Sequence, residues 1–79
     1  MVGIPEINPI KPNFNEVRIN GFRFFFSYKT LVAVKKGNKL LISENQWGNT
    51  TGRHLNEIDP DKKKRIPHNE FLNKVRALK

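Results

Sequence analysis

Asn20-Gly21 stands between two runs of alternating apolar residues, and this pair constrains the fold more than any other feature of the chain. A two-residue type I′ turn needs positive φ at both central positions, which asparagine tolerates and glycine adopts freely. Such a turn sets the register: Ile19 faces Phe22, and Val17 faces Phe24. Side chains alternate along a strand, so Val17, Ile19, Phe22, Phe24, Phe26 and Tyr28 share one face of the hairpin. Glu16, Arg18, Arg23, Phe25 and Ser27 take the other face. Two uses compete for that second face. Arg18, Arg23 and Phe25 together would grip a phosphate and stack a base. Alternatively Phe25 packs under a helix, as a sheet covered by helices requires, and this is the expectation we adopt.

The rest of the chain reads outward from this hairpin. Residues 31–43 form a second one: Leu31-Val32-Ala33-Val34 favours a strand, Gly37-Asn38 turns, and Leu40-Leu41-Ile42 returns. Both of its faces are partly apolar, the mark of an inner strand or one covered on both sides. Residues 44–49 are a loop by composition. Thr50 or Thr51 then caps a short helix over Gly52 to Ile58, which Asp59-Pro60 ends. Asp59-Pro60-Asp61-Lys62 suits a type I turn. A final amphipathic helix runs from about His68 to Leu78, with Phe71, Leu72, Val75 and Leu78 on one side. Residues 1–15 hold Pro5, Pro9 and Pro12 among Asn8, Asn13 and Asn15, and read as a Pro/Asn-rich lead-in arm. Residues 16–79 make one small α+β domain: an antiparallel sheet of two hairpins, a short helix and the C-terminal helix.

Composition limits the chemistry. With 79 residues and no cysteine, disulfides, thiolate nucleophiles and Cys-based zinc sites are excluded. So small a core must be dense, and six Phe, one Trp and one Tyr are available to build it. No apolar run approaches a membrane span, and Met1 to Glu6 lack the basic start and apolar stretch of a secretory signal. Glu57, Asp59 and Asp61 lie close in sequence and could hold a divalent metal, but they read better as a helix end and a turn, so no metal is expected. His54 and His68 have no ligand-spaced partner. His54 has no serine–acid arrangement to make it a catalytic base, and packing or hydrogen bonding beside Thr50 and Thr51 is its expected role. No glycine-rich phosphate loop occurs. The chain therefore reads as a non-enzyme with no cofactor.

Charge is the strongest functional signal. Fifteen Lys and Arg against seven Asp and Glu give +8. Lys62, Lys63, Lys64, Arg65, Lys74, Arg76 and Lys79 face only Glu70 in the last stretch of the chain. A field of one sign attracts polyanions, and each neutralised phosphate releases a counterion. Lys62, Lys63, Lys64 and Arg65, helped by Arg53, Lys74 and Arg76, are thus the candidate nucleic-acid contacts. Phosphate contacts of this kind give affinity with little sequence information. The alternative is a basic face that docks on an acidic protein. Trp47, in a Gly/Asn loop, anchors that loop or serves as an exposed binding residue; anchoring is the expectation.

Phe26-Ser27-Tyr28-Lys29-Thr30-Leu31-Val32-Ala33, Asn45-Gln46-Trp47 and Thr50-Thr51-Gly52-Arg53-His54-Leu55 together resemble a group of small phage-type viral accessory proteins. These carry a Tyr-x-Thr-x-Val-Ala strand followed by a Thr-Thr-x-x-His segment. The resemblance covers about residues 24–56 and leaves out the arm and the basic C-terminal helix. It implies a viral or plasmid setting, with the host cytoplasm as location, and no catalytic residues. It further implies that Tyr28, Thr30, Trp47, Thr51 and His54 form one local constellation, either a structural lock or a binding site.

Overall fold

The Asn20-Gly21 turn forms as the sequence dictates. In the computed structural model, which describes residues 4–78, Asn20 and Gly21 have φ of 52° and 83°. They join β2 (Phe14–Ile19) to β3 (Phe22–Ser27) with Ile19 opposite Phe22 and Val17 opposite Phe24. The second hairpin also forms: β4 (Thr30–Lys36) turns through Gly37-Asn38 into β5 (Lys39–Ser43).

The domain is α+β, but its sheet has six strands in sequential order rather than two hairpins. Two additions account for the difference. The stretch read as an arm supplies β1 (Glu6–Lys11), antiparallel to β2. Its connection is Pro12-Asn13, with Asn13 at φ 64°, the order of proline then positive φ that a type II turn uses. Proline is tolerated in β1 because this is an edge strand. At the other edge, Arg65–Ile66 adds a two-residue strand, β6, parallel to β5. Between them, β3 passes to β4 through the tight turn Tyr28-Lys29. A bulge in β4 at Val32 leaves Ala33 opposite Phe25 and Leu31 opposite Phe26.

Each sheet face takes one helix. Helix α1 (Asn49–Ile58) covers the face carrying Phe14, Phe25, Ala33 and Ile42, and inserts Leu55 among them. Phe25 is buried there, so it packs under a helix and is not a surface for a base. Helix α2 (His68–Arg76) packs on β5 from the opposite side. Ser43, one residue beyond Ile42, points to that opposite face and meets His68 Nδ1 at 3.0 Å. Phe71 is the fully buried anchor of α2. The helix stops at Arg76, short of the expected Leu78. Among the described residues no helix covers β2 and β3 on the α2 side, where Val17, Ile19, Phe22, Phe24 and Phe26 are half-buried and the Phe22 and Phe24 rings stack 5.8 Å apart.

Helix α1 begins earlier than the sequence suggests. Its N-cap is Gly48, and Thr50 and Thr51 lie inside the first turn rather than capping it. Asn45 organises the approach: its side chain accepts from Trp47 N–H at 3.0 Å and donates to the Gly48 carbonyl at 3.0 Å. Gly52, an unfavourable residue for a helix interior, is where that amide packs. A Cβ at Gly52 would sit 2.9 Å from Asn45 Nδ2. The missing side chain thus lets the loop bearing Trp47 close onto the helix.

Candidate nucleic-acid interface

The cleft between α1 and the segment ending in β6 gathers cations from both. Asp59-Pro60-Asp61 reverses the chain after α1, with Asp61 N–H donating to Asp59 Oδ1 at 2.8 Å. Asp61 then caps a single 3₁₀ turn, Lys62–Lys64, by accepting from Lys63 N–H at 3.0 Å. This turn delivers Arg65 into β6 beside Ile42. Arg65 donates from Nη2 to Asn56 Oδ1 at 2.8 Å, which fixes its guanidinium against the helix. The result is a cleft of about 680 Å³ lined by Arg53, Lys62 and Arg65, with Asn45, Asn49 and Asn56 between them. Glu44 is its one acidic lining residue. Arg65 Nε is buried with no hydrogen-bond partner among the described residues. The cations that do face this lining suit a ligand rich in acceptor oxygens.

The basic run does not form one stripe. Lys64 pairs with Asp59 at 3.0 Å. That hydrogen bond raises the Lys64 pKa, while the Asp61 backbone and Lys64 together hold Asp59 low. Lys63 is exposed on the 3₁₀ turn outside the cleft lining. Lys74 and Arg76 sit on α2, across the sheet from α1. Arg18 and Arg23 are taken by the buried Glu16, Arg18 at 2.9 Å. Of the seven candidate contacts, Arg53, Lys62 and Arg65 converge; Lys63, Lys64, Lys74 and Arg76 do not. Glu57, once a candidate metal ligand with Asp59 and Asp61, pairs with Lys11.

The second constellation does assemble. Tyr28, Thr30, Trp47 and Thr51 line one cavity of about 350 Å³. His54 lies beneath it, buried and stacked on Phe14 with ring centroids 4.5 Å apart. Ser27 is the link that sequence reasoning missed: its Oγ is 2.7 Å from His54 Nδ1 and 2.9 Å from Thr51 Oγ1. Burial pushes the His54 pKa down, so the ring is held neutral. Ser27 thus joins His54 and Thr51 in one buried hydrogen-bonded chain, whose direction follows the tautomer of the neutral ring. Trp47 packs edge-on against His68, centroids 4.8 Å apart, yet stays 40% exposed. It is therefore both loop anchor and surface residue.

A six-stranded sheet with one helix on each face, carrying a basic cleft and an aromatic cavity, defines a small basic α+β domain. No helix among the described residues is long and apolar enough to cross a membrane. The chain belongs to a family of unknown function (DUF8033), whose pattern it matches over residues 6–73. No curated protein and no solved structure matches it.

Proposed function

We propose that this is a non-enzymatic accessory protein, acting in the host cytoplasm in the viral setting its sequence resemblance implies, that binds nucleic acid through phosphate contacts. One observation carries the reading: Arg53, Lys62 and Arg65, distant in sequence, line the same open polar cleft. Arginine presents a planar fork suited to phosphate oxygens, and lysine adds a mobile point charge. The asparagine amides between them supply neutral donors to the same backbone.

The test is the salt dependence of oligonucleotide binding. Affinity falls steeply between about 50 and 200 mM salt, and Arg53→Gln and Lys62→Gln each reduce the log–log slope by about 1. Lys74→Gln and Arg76→Gln, on the far side of the sheet, leave the slope alone. The reading is lost if neither DNA nor RNA binds at the low-salt end, or if the α2 variants carry the slope instead.

A second reading, docking on an acidic host protein, draws on the half-buried stripe of Val17, Ile19, Phe22 and Phe24. There Lys36 Nζ lies 4.5 Å from the Phe22 ring centroid. An apolar surface edged by lysine suits an acidic protein better than a phosphate backbone.

A further inference from the structure

The two cavities are neighbours. Asn49, at the start of α1, lines both the basic cleft and the aromatic cavity. Charge lies on one side of it and exposed π surface on the other. The chain ends that build the second cavity meet there for topological reasons. β3 ends, β4 begins and β5 ends at the same end of the sheet, which brings the Tyr28 turn and the Trp47 loop together.

Tyr28 and Trp47 are 52% and 40% exposed, although a domain this small gains most by burying its aromatics. Each ring is braced from within the fold. Tyr28 is tilted against His54, ring centroids 6.4 Å apart, and Trp47 meets His68 edge-on. Tyr28 also holds φ at 56°, a costly conformation for a bulky residue at a turn where Asn or Gly would serve. Its N–H is fixed to the Asn13 carbonyl at 2.6 Å. The backbone is thus held in a conformation that keeps this ring at the cavity mouth. Thr30, Thr50 and Thr51 line the cavity with these two rings.

We infer that the ligand of the basic cleft is single-stranded, with an unpaired base seated against Tyr28 and Trp47 while its phosphates run across Asn49 to Arg53, Lys62 and Arg65. This rests on the phosphate-binding reading above and narrows it. In a duplex the bases already stack on their neighbours and hide their faces, so the aromatic cavity would stay empty. A single strand offers π faces that aromatic side chains accept without regard to sequence. The cavity, at about 350 Å³, lies at the small end of ligand pockets and suits one base.

Trp47 is the only tryptophan, so its fluorescence reports this cavity directly. The full chain is titrated with oligo(dT) and oligo(U) of about ten nucleotides, and with a duplex of the same length. Single strands are expected to quench Trp47 and to bind about tenfold more tightly than the duplex. Tyr28→Asn removes the ring while keeping a residue at ease with positive φ, as Asn13 and Asn20 are. It is expected to weaken single-strand binding about tenfold without changing the salt slope, because no charge is removed. The tighter of oligo(dT) and oligo(U) identifies the sugar. Equal, salt-dependent binding of both duplex and single strand with Trp47 unquenched overturns the inference and leaves phosphate binding standing. Failure of every oligonucleotide to bind at low salt overturns both.

Discussion

Glu16 shows how a single residue sets the chemistry of one sheet face. Its side chain is almost wholly buried, and it accepts from Arg18, Arg23 and, at 3.4 Å, Asn8. Burial pushes its carboxyl up, but the hydrogen bonds and charges of Arg23 and Arg18 outweigh this and hold it below the ordinary 4.5. An unfolded chain therefore takes up this proton at higher pH than the folded one. Glu16 stabilises the fold fully above about pH 4.5, and its contribution fades as pH falls toward the folded value. His54 acts at a higher pH. Burial lowers its pKa from 6.5, so the unfolded chain protonates first as pH drops below that value, and stability falls there too. A plot of Tm against pH should descend in two steps on acidification. Glu16→Gln should be less stable above pH 4.5 by about 1–3 kcal/mol, so that its curve starts lower and loses most of the second step. A residue of that step belongs to Asp59, which is also held below its ordinary value. An unchanged lower step in the variant would show that Glu16 is not its source.

At the scale of elements, local chemistry decided what could be read in advance. The Asn20-Gly21 turn was legible because positive φ at two adjacent positions is a requirement few residues meet. Gly21→Ala keeps every contact, since nothing lies within 4 Å of the added Cβ, but forces alanine to φ 83°. A cost of about 1 kcal/mol is expected, seen as a lower urea midpoint with unchanged m value. No shift in the midpoint would mean that the turn relaxes to another form. β1 was illegible because Pro5, Pro9 and Pro12 read as an extended or irregular arm, whereas an edge strand tolerates Pro9 and Pro12 serves the turn. β6 was illegible for another reason: two residues carry no period, and their pairing with β5 is settled by the chain reversal after α1. In the candidate sites, the charges of Arg53, Lys62 and Arg65 were visible, but their separation from Lys74 and Arg76 depends on which sheet face each helix takes. Ser27 escaped notice because its partners Thr51 and His54 lie 24 and 27 residues away.

The whole molecule is a single sheet clamped from both sides, and its cooperativity follows from that. Leu55 and Phe71 are each fully buried, yet they belong to opposite faces: Leu55 joins the cluster of Phe14, Phe25 and Ile42, while Phe71 packs under α2. The strands between them are shared. A chain of this length has a total stability of about 4–12 kcal/mol. Truncating either anchor leaves a cavity costing about 2–5 kcal/mol. A domain this small buries only a modest share of its surface, so both faces are needed to hold the sheet. Leu55→Ala and Phe71→Ala should therefore lower one common transition rather than release one helix each. Far-ultraviolet circular dichroism follows the helices and sheet together, and Trp47 fluorescence follows the contact with His68 at the start of α2. In Phe71→Ala the two signals should melt at the same reduced temperature. Separate midpoints, with Trp47 released before the sheet melts, would make α2 an appendage on a stable β-sheet–α1 core. The loop that presents Trp47 would then keep its hold through Asn45 and its packing on Gly52.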